Sequence, residues 1–139
     1  MTQFSVGSGM PETPIFPAAV PGTGWIGPLR PDRTGAPIYG GQNGARLNAF
    51  AFTAPVAGSW GNAGRNSIAG PNTFSLDGAM QRTFRPDKHF YLDARIDASN
   101  LLNHPVFTSW NTTLQSTQFG LPRSVNQMRS LQVTMRVRF

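Results

Sequence analysis

Apolar and polar residues alternate without a break along the last nine positions of the chain. Leu131, Val133, Met135, Val137 and Phe139 fall on one side, and Gln132, Thr134, Arg136 and Arg138 on the other. Successive side chains of a strand point to opposite faces, so this segment has an oily face and a wet, positively charged one. The same period runs through residues 72–84, where Phe74, Leu76, Gly78, Met80 and Phe84 share a side that Arg82 interrupts. It returns over 89–100, with Phe90, Leu92, Ala94, Ile96 and Ala98 opposite His89, Tyr91, Asp93, Arg95, Asp97 and Ser99. Arg85-Pro86-Asp87-Lys88 between them has turn composition, so the two runs read as an antiparallel hairpin. Phe4 and Val6 suggest that residues 1–8 hold the end of a further strand.

Two regions lack this period. Residues 9–71 carry nine prolines and the breaks Gly22-Thr23-Gly24 and Gly40-Gly41. Proline withholds a ladder donor, so the region reads as a long loop. Leu47–Phe52 is a candidate short strand or hook inside it, and Phe16, Trp25, Phe50, Phe52 and Trp60 form a small apolar cluster or a set of rim contacts. Residues 101–128 read as a second long loop. A soluble sandwich strand can share the alternation of 131–139, but an open apolar edge invites unwanted pairing. A transmembrane barrel strand needs about 9–11 such residues. The expected fold is therefore all-β: an incomplete antiparallel transmembrane β-barrel of about three or four strands (72–84, 89–100, 129–139 and the piece at 1–8) with long extracellular loops. Connections in the order long, short, long fit a periplasmic turn at 85–88, loops outside at 9–71 and 101–128, and a periplasmic C-terminus.

Composition leaves that picture standing. Hydrophobic residues make up 39% of the chain, with 15 Gly and 12 Pro, which suits short strands joined by long loops. No apolar run approaches the ~18–20 residues of a membrane helix, and a barrel requires none. Without cysteine, no disulfide or thiolate metal site can form. The first residues have neither a basic nor an apolar leader segment, so an exported chain is expected to be a piece of a longer one. The net charge of +6 comes mostly from arginines dispersed between Arg30 and Arg138, without the stripe that nucleic-acid binding needs; no nucleic acid is expected as a partner.

Facing away from lipid, Asp77, Asp93, Arg95, Asp97, Arg136 and Arg138 would line the lumen. Antiparallel return of the last strand brings Arg136 and Arg138 near Tyr91 and Asp93, where charge pairing through water is expected. Arg82 sits close enough to the turn to reach the interface, level with an aromatic girdle of Phe84, Phe90 and Phe139. No catalytic constellation emerges, and the chain reads as no enzyme, with no metal and no cofactor. His89 and His104 lack companion ligands. Asp93 and Asp97 stand ~13 Å apart along a strand, too far to share a proton. Gly61-Asn62-Ala63-Gly64-Arg65-Asn66 superficially suggests a phosphate loop but lacks the Gly-Lys-Ser/Thr ending, and reads as a tight turn.

Several motifs together resemble the C-terminal barrel of TonB-dependent receptors. They are the Gly61–Asn66 run, Gly70-Pro71 ahead of a strand with Leu76-Asp77, and Asp93–Asn100 followed by Leu101-Leu102-Asn103-His104-Pro105. Phe119-Gly120 before the closing strand and Arg30-Pro31-Asp32-Arg33 add to them. The likeness is nearest to the acidobacterial type with a carboxypeptidase-regulatory-like N-terminal domain, and covers 60–139 well and 1–59 loosely. It implies the outer membrane of a Gram-negative bacterium and energised uptake of a large or scarce substrate. It implies as partners the lipid, the remainder of the receptor barrel, and a barrel-assembly machinery that reads Leu131, Val133, Met135, Val137 and Phe139. The alternative is a soluble basic all-β binding domain for acidic glycan or nucleic acid.

Overall fold

A computed structural model describes residues 1–139. Ten strands form: β1 Thr2–Gly7, β2 Pro11–Glu12, β3 Asp32–Arg33, β4 Phe52–Thr53, β5 Ile68–Ala69, β6 Thr73–Asp87, β7 Phe90–Ser99, β8 Phe107–Trp110, β9 Pro122–Val125 and β10 Ser130–Arg138. There is no α-helix, and one 3-10 turn spans Ala49–Ala51. The chain divides into two compact units. The first holds Met1–Gly7, Thr73–Val106 and Asn126–Phe139; the second holds Ser8–Asn72 and Phe107–Val125.

The first unit is one antiparallel sheet in the order β1-β6-β7-β10, with both outer edges open. The fold is thus all-β and antiparallel, an incomplete barrel. β6 runs to Asp87, past the end expected at residue 84, so the β6–β7 connection tightens to Lys88–His89. The pairing register shifts between Phe84 and Asp87, which accommodates Pro86 without a regular ladder partner.

The strands end on a fixed turn. Asn100 takes φ +48 and Asn103 φ +49, left-handed values that Asn tolerates better than most residues. Asn100 is 8% exposed, and its N–H donates to Asp77 Oδ1 at 2.9 Å. Its side chain donates to the His104 carbonyl (2.9 Å) and accepts from the His104 N–H (3.2 Å). Asn103 Oδ1 accepts from the Arg129 N–H at 3.2 Å, tying this exit to the approach of β10. The Asn-Leu-Leu-Asn-His-Pro run is therefore a hydrogen-bonded lock, and His104 stacks on Phe74 with ring centroids 4.6 Å apart.

The second unit is more than the two long loops expected. Residues 9–71 and 107–125 fold around a core of Phe16, Val20, Leu29, Leu47, Ala51, Phe52, Ala63, Ile68, Leu114 and Phe119. Three two-stranded ladders, β2 with β5, β3 with β4 and β8 with β9, stiffen it. Within Leu47–Phe52, Ala49–Ala51 form a 3-10 turn capped by Asn48, whose side chain accepts from the Phe50 N–H, Leu47 bridges to Tyr39 and Phe52 begins β4. Of the expected aromatic cluster, Phe16 and Phe52 are buried and Phe50 is 73% exposed. Two sequence motifs dock on one another here. Asp32 Oδ1 accepts from the Asn62 N–H (2.8 Å), Asn62 Oδ1 from the Arg33 N–H (2.7 Å), and the Ala63 carbonyl from Arg30 Nη1 (2.8 Å). Gly61 takes φ +70 against the Arg30 carbonyl, where a side chain would collide with backbone.

Candidate functional site

Residues directly opposite in an antiparallel ladder project to the same face, so the register sorts the sheet. One face carries the rows Met80–Ile96–Val133, Phe84–Leu92–Val137 and Gly78–Ala98–Leu131, with Phe4 opposite Leu76 and Val6 opposite Phe74. The other carries Ala79–Asp97–Gln132, Gln81–Arg95–Thr134 and Thr83–Asp93–Arg136, with Gln3 opposite Asp77. Even-numbered and odd-numbered sets from four strands thus merge into continuous surfaces.

The apolar surface is left bare. Phe4 is 67% exposed, Met80 69%, Leu131 63%, Val133 60% and Met135 71%. Phe74, Leu92 and Val133 do not converge on a dry protein interior; the clustered hydrophobic core lies in the other unit, and Val106 is the one buried apolar residue of this one. In water, each such side chain forgoes about 1.5–3 kcal/mol of burial, and a patch this continuous marks a contact surface. Hydrocarbon removes that penalty. β6, at 15 residues, and β7, at 10, are long enough to cross it.

Two ion pairs form on the polar face. Arg138 Nη2 lies 2.7 Å from Asp93 Oδ2, a direct contact where a water bridge was expected. Thr83 Oγ1 donates to the other oxygen of Asp93 at 2.6 Å. Tyr91 lies opposite Arg138, whose guanidinium is 5.6 Å from its ring centre, and Arg85 approaches the same ring at 5.1 Å. Arg95 grips Asp97 two residues along its own strand, at 2.7 Å. Arg136 faces Asp93 in register without forming an ion pair with it. Asp77 is engaged by the Asn100 lock. Sequence reasoning missed Thr83, Arg85 and the bonding of Asp77. Strand parity was the signal for the first two, since odd positions of β6 share the face of Asp93; the third depended on a turn whose left-handed asparagines no period announces.

Arg82 needs correction. Because β6 continues to Asp87, it stands five residues, or ~17 Å, before the strand end instead of beside the turn. Its guanidinium lies over the Phe84 ring at 5.5 Å, which directs the charge along the strand toward that end.

A bare apolar face, a polar face with two ion pairs and open edges describe a membrane barrel segment. The family model for the outer membrane beta barrel domain matches residues 2–132. The chain belongs to that family. Neither curated proteins nor solved structures give a significant match. As an outer membrane beta barrel domain the chain is an outer-membrane protein, and the soluble basic binding domain is set aside. The matched span takes in both units, so the folded loop unit belongs to the family's domain as the strands do.

Proposed function

We propose that the chain is the C-terminal barrel portion of a TonB-dependent receptor, of the acidobacterial type with a carboxypeptidase-regulatory-like domain. It contributes to energised uptake of a large or scarce substrate only as part of a closed barrel, because an open edge in lipid leaves backbone groups unsatisfied. The observation that carries this reading is the bare apolar face running across four strands, broken by the charge of Arg82 alone, beside two edges that call for more strands. The Asn-Leu-Leu-Asn-His-Pro lock supports it, since the motif behind the resemblance makes a defined turn at the end of β7.

In this reading Asp77, Asp93, Arg95, Asp97, Arg136 and Arg138 face the lumen, the β6–β7 turn and Phe139 lie in the periplasm, and the second unit lies outside the cell. Leu131, Val133, Met135, Val137 and Phe139 engage the assembly machinery. The chain performs no reaction of its own, and its partners are lipid and the rest of the barrel. The absence of cysteine makes orientation testable with single substitutions at exposed positions. Gln42→Cys is expected to react with a membrane-impermeant maleimide on intact cells, and Lys88→Cys only after the outer membrane is opened. The reverse pattern overturns the orientation, and recovery of the protein in the soluble fraction overturns the barrel. Accumulation of substrate that persists without TonB overturns energised uptake.

A further inference from the structure

The second unit contains an open cleft of about 520 Å³, within the range of small-molecule sites. Trp25 and Trp60 form one side of it, with ring centroids 6.5 Å apart and planes tilted by 44°. They are 50% and 54% exposed, unusual for two of the three tryptophans of a folded unit. Ile15 and Pro28 add apolar wall, and Arg30 and Arg65 contribute two positive charges with no acidic residue beside them.

The cleft is preformed. Arg30 is tethered through Nη1 to the Ala63 carbonyl, within the pairing of the two docked motifs. Gly27 lets the indole of Trp25 lie close to the backbone, since a Cβ there would sit 2.8 Å from Trp25 Nε1. Asn66, next to Arg65, is held from both sides by Thr13, whose Oγ1 accepts from the Asn66 N–H at 2.9 Å and donates to Asn66 Oδ1 at 3.2 Å. Arg65 itself is exposed and takes part in neither ion pair of the chain, so its guanidinium is available. Ordering costs on binding are lowest where the walls are already in place.

Two indole faces beside two guanidinium groups suit a flat ring carrying an anion. A sugar acid would satisfy the charge, but its hydroxyls each need a partner, and the lining offers one hydroxyl, that of Thr13, besides the arginines. A ring without hydroxyls leaves nothing unpaired. We propose that the Trp25–Trp60 cleft binds an aryl carboxylate, the ring against the indoles and the carboxylate on Arg65 and Arg30. The inference rests on the preceding reading only in placing this unit outside the cell; maleimide labelling tests that placement and ligand titration tests this site, so either can fail alone.

The test titrates 4-(trifluoromethyl)benzoate into the full chain in detergent micelles, followed by fluorine NMR. The neutral 4-(trifluoromethyl)benzamide reports partition into micelles, and digalacturonate is the acidic-sugar competitor. The acid is expected to bind at least about tenfold more tightly than the amide, the range of a charge-assisted contact. Arg65→Gln is expected to bring it down to the amide's level without unfolding the unit, and Trp60→Phe to retain binding that Trp60→Ala loses. Equal binding of acid and amide, an unchanged affinity in Arg65→Gln, or tighter binding of digalacturonate would overturn the proposal.

Discussion

In the sheet, large apolar side chains recur every second residue and most stay exposed; in the second unit they are irregularly spaced, and many gather in a buried core. Val133 is 60% exposed on β10, whereas Leu47, in a stretch without period, is 1% exposed. The contrast reflects two solvents acting on one chain. Where hydrocarbon is the solvent, the apolar atoms face outward and the polar ones pair, as Arg138 does with Asp93. Where water is the solvent, the apolar atoms gather and left-handed glycines and asparagines turn the backbone around them. The sheet's stability therefore belongs to the membrane and its missing neighbours, and the second unit's to its own core.

That contrast can be broken by removing Leu47. Leu47→Ala is expected to cost about 2–5 kcal/mol, because a fully buried side chain leaves a cavity. The loss belongs to the second unit alone. Trp25, Trp60 and Trp110 all lie in that unit, so their fluorescence reports its unfolding, while heat-modifiable mobility on gels follows the sheet. A variant that loses barrel assembly together with the tryptophan signal would refute separate stabilities. Next in size comes a pair of neighbours on β10. Val133→Arg puts a charge on the lipid face and is expected to cost about 2–4 kcal/mol near mid-bilayer. Gln132→Arg, one residue away and opposite Asp97, is expected to cost close to nothing. Folding into lipid vesicles under urea measures both, and equal losses would mean that the two faces meet the same solvent.

The sheet was the legible part, because a period of two survives in sequence whatever covers the face. The hairpin, the pairing of the last strand with 89–100 and the approach of Arg138 to Asp93 follow from that period and antiparallel return. Strand ends were less legible: Pro86 suggested a turn, yet an irregular register lets β6 pass through it. The second unit was hardly legible. Its core draws Phe16, Leu29, Leu47, Ile68 and Leu114 from far apart, and its ladders are only two to four residues long. Proline and glycine density marked those stretches as irregular, but irregular backbone can still be closely packed, as the fully buried Pro14 and Pro31 are. The cleft between Trp25 and Trp60 depends on that packing, so no spacing in the chain could reveal it.

The smallest expected effect concerns Glu12, the only glutamate. Its carboxylate accepts from the Trp110 N–H at 3.0 and 3.2 Å, joining β2 to β8. Burial raises its pKa, while that hydrogen bond and the charge of Arg123 pull the other way. The folded unit thus holds the proton more tightly than the unfolded chain does. Glu12's contribution is fully present below the usual glutamate pKa of about 4.3 and is lost as pH rises through the elevated value. Glu12→Gln keeps an oxygen acceptor for Trp110 and cannot ionise. Thermal unfolding followed by tryptophan fluorescence is expected to fall with pH across this window in the wild type and to be flatter in Glu12→Gln. Sheet assembly is expected to show no such difference between the two proteins. A shared pH response in both readouts would mean that Glu12 is felt beyond its own unit, and the division into two separately stabilised regions would fail at this contact.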